Sequence, residues 1–135
     1  MQQKRVLLAE DDQDDRLIFE EFLEERTDFI LISIVENGVE IFDFLNTLQS
    51  ENEYPQLIVL DKNMPKINGV EALKLLKDDE RYKKISVVIY STYIDQHLVN
   101  TCIALGASAI LQKPFTKQGY NEMMNEFLRT TKDMI

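Results

Sequence analysis

At 135 residues and a formal net charge of −9, the chain has the length of one domain with room for a substantial core. Its acidity argues against nucleic-acid binding, which relies on clustered Lys and Arg. An apolar share of 44% is that of an ordinary globular protein, and no apolar run approaches the ~20 residues of a membrane span.

A single cysteine, Cys102, excludes an intramolecular disulfide and leads to the expectation of a reducing, cytoplasmic compartment. The start, Met1-Gln2-Gln3-Lys4-Arg5, lacks a signal peptide's apolar core. No repeat, linker or low-complexity tract divides the sequence, so residues 1–135 are read as one domain with no output domain.

In chain order, a first strand over Arg5–Ala9 runs into Glu10-Asp11-Asp12, with Asp14 and Asp15 close behind. Asp12, Asp14 and Asp15 read as helix N-terminal residues that cap amides and offset the dipole. Ile18, Phe19, Phe22 and Leu23 then form a helical stripe. A second strand over Ile30–Val35 is followed by Asn37-Gly38 and a helix with Phe42, Leu45 and Leu48 on one face.

Pro55 opens the third strand, Leu57–Leu60, whose unbroken aliphatic run marks the centre of a parallel sheet. Asp61 closes it, and Pro65 and Gly69 frame the start of a third helix bearing Val70, Leu73 and Leu76. The fourth strand, Ser86–Tyr90, ends at Ser91-Thr92. Leu98, Val99, Cys102 and Ile103 define the fourth helix, with Cys102 a buried thiol, the sole histidine, His97, on its surface and Gly106 at its end. A fifth strand over Ala109–Leu111 leads into Gln112-Lys113-Pro114, and Tyr120, Met123, Met124, Phe127 and Leu128 form the last helix. Thr130 to Ile135 are expected to fray. Strict alternation of strand and helix predicts a parallel, doubly wound α/β sheet with right-handed crossovers.

Open α/β sheets bind ligands beyond the carboxyl ends of their strands, and that is where Glu10, Asp11 and Asp61 emerge. If the first and third strands are neighbours, the three carboxylates face one another. At ~4 Å and an effective dielectric near 20, each like-charge pair costs about 4 kcal/mol, so such a cluster raises a pKa or binds a cation. All-oxygen ligands without His or Cys suit a hard ion, and a small open site suits Mg²⁺. A carboxylate can also act as a nucleophile toward phosphorus, giving an acyl phosphate. Ser91 and Lys113 stand at two further strand ends of the same crevice, and Pro114 is expected to fix the turn through a cis bond.

The ordered set Val6-Leu7-Leu8-Ala9-Glu10-Asp11-Asp12, Leu60-Asp61-Lys62-Asn63-Met64-Pro65 with Asn68-Gly69, Ser91-Thr92, and Gly106-Ala107-Ser108 through Lys113-Pro114-Phe115 resembles the receiver domain of two-component response regulators, the CheY-like family. The resemblance covers nearly the whole chain. It implies a five-stranded flavodoxin-like (βα)5 fold of strand order 2-1-3-4-5. It also implies that Asp61 is the phosphoacceptor for a bacterial sensor histidine kinase, a phosphorelay partner or a small phosphodonor. Glu10, Asp11, Asp61 and the Asn63 carbonyl would hold Mg²⁺, Ser91 would be the switch hydroxyl, and Lys113 would pair with the phosphoryl group across a cis Lys113–Pro114 bond.

Three positions depart from the commonest pattern of that family: Glu10 for Asp, Ser91 for Thr, and Ile110 where an aromatic often turns inward. Tyr93 and Asn63 would flank the phosphoryl group. Output would pass by docking to another protein, or by homodimerisation, through the fourth helix, fifth strand and fifth helix, where Tyr93, Ile110 and Tyr120 would expose apolar area. Such a protein is a switch with at most a weak phosphatase activity on itself. Two alternatives stand beside it, a phosphorylation-independent adaptor and a haloacid-dehalogenase-type phosphatase. The latter requires a second Asp where this chain has Asn63.

Overall fold

Val6–Ala9, Leu57–Leu60 and Val87–Tyr90 are fully buried, which requires helices on both faces of the strands that carry them. The computed structural model, which describes residues 3–131, has that arrangement. Strands β1 (Lys4–Ala9), β2 (Phe29–Val35), β3 (Leu57–Asp61), β4 (Ser86–Ser91) and β5 (Ala109–Gln112) form one parallel sheet of order β2-β1-β3-β4-β5. Helices α1 (Gln13–Glu24), α2 (Gly38–Leu45), α3 (Gly69–Asp78), α4 (Gln96–Ala104) and α5 (Lys117–Thr131) alternate with them, and a 3-10 turn, Glu51–Glu53, precedes β3. This is the flavodoxin-like order expected from the sequence.

The pleat divides the core in two. Leu7, Ala9, Ile58, Leu60, Val87 and Ile89 pack against α2, α3 and α4. Val6, Leu8, Leu57, Val59, Val88 and Tyr90 pack against α1 and α5. Because side chains alternate along a strand, residues just past the strand ends inherit a face from their number. Glu10 and Asp61 continue the series that faces α1 and α5, whereas Ser91 and Ile110 belong to the other.

Local chemistry starts the helices where the turn residues stand. Asp12, Asn37, Asn68 and Asp95 each accept an amide hydrogen bond from the third helical residue, and Asn68 and Glu71 form a reciprocal capping box. Gly106, at φ +101°, ends α4 in a Schellman turn: its N–H meets Ile103 O and the Ala107 N–H meets Cys102 O. Gly69 is required by proximity, since a Cβ there would lie 2.4 Å from the Asp61 carbonyl oxygen. That contact seats the first turn of α3 directly on the end of β3.

Several expectations change. Ile18 and Ile103, placed in apolar stripes, are exposed on the outer edges of their helices. Tyr120 is buried against Phe22, with ring centroids 5.1 Å apart, and so belongs to the core. The Lys113–Pro114 bond is trans, as every described peptide bond is; the trans form is intrinsically favoured even before proline. Helix α5 continues through a buried Thr131, and the remainder of the segment expected to fray lies outside the described residues. Cys102 is buried and His97 exposed, as anticipated.

Candidate functional site

At the carboxyl edge of the sheet, β1 and β3 lie side by side, with Ala9 opposite Leu60. The next residues on their common face are Glu10 and Asp61, both buried. Asp11 joins them from the exposed side, and one carboxylate oxygen from each of the three lies within 4.8 Å of the others. The cluster foreseen from the strand ends therefore forms.

Lys113 is the counter-charge. Its backbone N–H donates to Ser91 O at 2.9 Å, which anchors it beyond the end of β5. Its Nζ lies 2.9 Å from Glu10 Oε1, 2.9 Å from Asp15 Oδ2 and 3.3 Å from Asp61 Oδ1. Burial by itself would lower the pKa of this ammonium. Its bonds to Glu10 and Asp15, together with the Asp61 charge, outweigh that and hold it well above the ordinary lysine value.

Asp61 is pushed the other way. Burial, followed by a hydrogen bond and charge repulsion from Glu10, raises its carboxyl from 3.8 to about 8. Lys113 and the Asn63 N–H, which donates to Asp61 Oδ1 at 3.4 Å, offset only part of this. Two carboxyl groups this close cannot both be ionised cheaply without further positive charge. The donor set is all oxygen, two of its carboxylates are buried, and one ammonium faces them; that is the chemistry of a small hard cation's site.

Ser91 is placed differently. Its Oγ donates to Tyr93 O at 2.9 Å and accepts from the Tyr93 N–H at 3.3 Å, closing a turn on the opposite face from the carboxylates. Ile110 is half-buried against the α2–α4 side of the core. Asn63 and Tyr93 are exposed, Tyr93 at 69%. Of the apolar surface expected around the fifth strand, Tyr93 is present and Tyr120 is not, while Phe115, 84% exposed just after Pro114, adds to it.

The family model of the response regulator receiver domain matches residues 6–125. The chain belongs to that family. Among curated relatives, a CheY chemotaxis protein homologue of Campylobacter jejuni is 30% identical over 95 residues, spanning 70% of each chain. CheY1 of Helicobacter pylori is 28% identical over 126 residues, covering 93% of this chain and 98% of the relative. Two solved response regulators share the fold across almost the full length. The Mn²⁺-bound form of Rcp1 is 30% identical at a TM-score of 0.78, covering 98% of this chain and 96% of that one. The phosphorylated cyanobacterial phytochrome response regulator RcpA is 25% identical at a TM-score of 0.81, covering 99% and 97%. The acidic cluster of this receiver domain corresponds in kind to the family's metal site. No helix among the described residues is long and apolar enough to cross a membrane.

Two residues of the site were not singled out from sequence. In sequence Asp15 is no more than part of a helix N-terminus, yet its side chain reaches Lys113. In sequence Tyr90 is a strand residue, yet its hydroxyl donates to Glu10 Oε1 at 2.5 Å. A signal for Tyr90 was available in the pleat, because Asp61 and Tyr90 are direct partners across β3 and β4 and share a face.

Proposed function

We propose that this receiver domain is a switch that accepts a phosphoryl group on Asp61 from the phosphohistidine of a sensor histidine kinase or of a phosphotransfer protein. The observation that carries the reading is the convergence of buried Asp61 with Glu10, Asp11 and Lys113 at one sheet edge. An Asp61 oxygen attacks phosphorus as the P–N bond breaks and the imidazole leaves, giving an acyl phosphate. Lys113 is already within reach of Asp61 and provides positive charge for the transferred oxygens.

The three carboxylates fit Mg²⁺, and the Asn63 carbonyl would be a further ligand. When bound, the ion neutralises charge that builds during phosphoryl transfer. The raised carboxyl of Asp61 supports this reading, since the nucleophile must be ionised and only added positive charge makes that easy near neutral pH. The related response regulators Rcp1, in a Mn²⁺-bound form, and RcpA, in a phosphorylated form, agree with it.

After transfer, Ser91 leaves its turn with Tyr93 and bonds a phosphoryl oxygen, drawing the β4–α4 segment with it. That segment borders the surface of α4, β5 and α5, through which the domain docks on a protein target or on a second copy. Ile110 has no ring to rotate, so the movement of the backbone after Ser91 carries the signal.

The test is phosphotransfer from the host's histidine kinases, and from acetyl phosphate, with Mg²⁺ and with chelator. Label on the wild-type chain that disappears in Asp61→Asn and in chelator is the expected result. Equal labelling of Asp61→Asn refutes the site. Absence of label from every donor, under conditions that label a control receiver, favours a phosphorylation-independent adaptor.

A further inference from the structure

Tyr90 is the one phenol placed inside the acidic cluster, and both ends of its side chain are occupied. The ring is fully buried, with the Phe19 ring edge-on at 6.1 Å and the Lys113 ammonium 4.9 Å above its centroid. Its hydroxyl donates to Glu10 Oε1, the same oxygen that Lys113 Nζ meets at 2.9 Å. Glu10 Oε2 accepts the Asp12 N–H at 3.1 Å. A carboxylate has about four lone-pair directions, two on each oxygen. Two donors fill Oε1 and one N–H takes half of Oε2, so most of the carboxylate is already engaged by fixed partners.

That count matters because Glu10 is longer by one methylene than an aspartate in its place. The extra rotatable bond lets its carboxylate swing, and a swinging ligand does not present one geometry. The Tyr90 hydroxyl and Lys113 on Oε1, with the Asp12 N–H on Oε2, remove that freedom beside Asp11 and Asp61. We infer that Tyr90 is a positioning residue for the divalent cation, holding Glu10 so that it offers one oxygen in one direction. The inference rests on Glu10, Asp11 and Asp61 being the cation's ligands. Outer-shell partners of metal ligands typically carry 10–100-fold in affinity.

Tyr90→Phe removes the hydroxyl and keeps the ring and its packing. Titration of the metal-free protein with Mn²⁺ and Mg²⁺ by calorimetry should give a dissociation constant about tenfold or more weaker than that of the wild type. The same substitution in a Glu10→Asp background should cost much less, because the shorter carboxylate has no swing to restrain and does not reach the phenol. That non-additivity separates positioning from general damage. In the wild type, cation binding should also produce a tyrosine ultraviolet difference signal that Tyr90→Phe lacks. A wild-type chain that binds neither cation overturns the reading of the site, and the role of Tyr90 with it. A wild type that binds, with Tyr90→Phe within twofold of it, overturns the role of Tyr90 alone. An equal loss in both Glu10 backgrounds, or a tyrosine signal unchanged by Tyr90→Phe, does the same.

Discussion

Asp61→Asn should stabilise the cation-free protein, and by an amount that grows with pH. Asp61 is 4% exposed, and burial with the neighbouring Glu10 raises its carboxyl from 3.8 to about 8. Between those values the folded chain keeps a proton that the unfolded chain has lost. Stability therefore falls as pH rises from about 4 to about 8, then levels off. At roughly 1.4 kcal/mol per unit, four units set a ceiling of about 5–6 kcal/mol near pH 9, against about 1–2 kcal/mol near pH 5. Local relaxation lowers both; half the ceiling is still about 3 kcal/mol, or on the order of 10 °C in melting temperature for a domain of this size. Asn keeps the side chain's size and its acceptor for the Asn63 N–H while removing the charge. Melting both proteins in chelator at about pH 5 and about pH 9 reads the Asp61 effect together with the response of its partners Glu10 and Lys113, because the titrating groups outside that cluster are common to the two. Saturating Mg²⁺ should then raise the wild type alone, by about 2.7 kcal/mol at a hundredfold excess over Kd. An increment that is absent, or equal at both pH values, would refute the assignment of a strained carboxyl to Asp61.

Three further outcomes are expected. Ser91→Ala should still take up label on Asp61, but hydrogen exchange in Gln96–Ala104 should no longer respond to phosphorylation; a preserved response would remove Ser91 from the switch. Tyr93→Ala should lose its phosphoryl group several-fold faster than the wild type, because the exposed ring beside the Ser91 turn restricts the attacking water; equal decay of isolated labelled protein would count against that. Gly69→Ala places a Cβ 2.4 Å from Asp61 O, and should cost about 1–3 kcal/mol in denaturant unfolding and reduce labelling as the end of β3 shifts. An unchanged midpoint would show that α3 moves aside freely.

The fold was legible because each level of the sequence repeats the same message. Unbroken aliphatic runs at Val6–Ala9, Leu57–Leu60 and Val87–Ile89 mark strands covered on both faces, and Asn, Asp and Gly punctuate the helices between them. Glu10, Asp11, Asp61 and Lys113 were legible because strand ends converge in a parallel sheet. Asp15 and Tyr90 were not, for different reasons. A carboxylate in the first turn of a helix already has a local explanation, and nothing nearby in sequence reveals a lysine 98 residues away. A tyrosine in an apolar strand satisfies the pattern by its ring, while its function lies in an oxygen whose partner is 80 residues distant. Ile18 and Ile103 failed in the opposite sense: helical spacing gives a stripe but not its width, and both lie past the edge of what the sheet covers.

The alternation of the strands also makes the sheet a partition wall. Side chains at even positions of β1 and odd positions of β3 border the chamber where the carboxylates meet; their immediate neighbours border the chamber containing Ser91 and Ile110. Along β4 the two chambers are one peptide bond apart, at Tyr90 and Ser91. Genetic variation in these strands should accordingly separate into two classes by residue parity. Changes such as Val59 or Val88 to a smaller residue should alter phosphotransfer to the domain, and changes at Leu60 or Ile89 should alter its output.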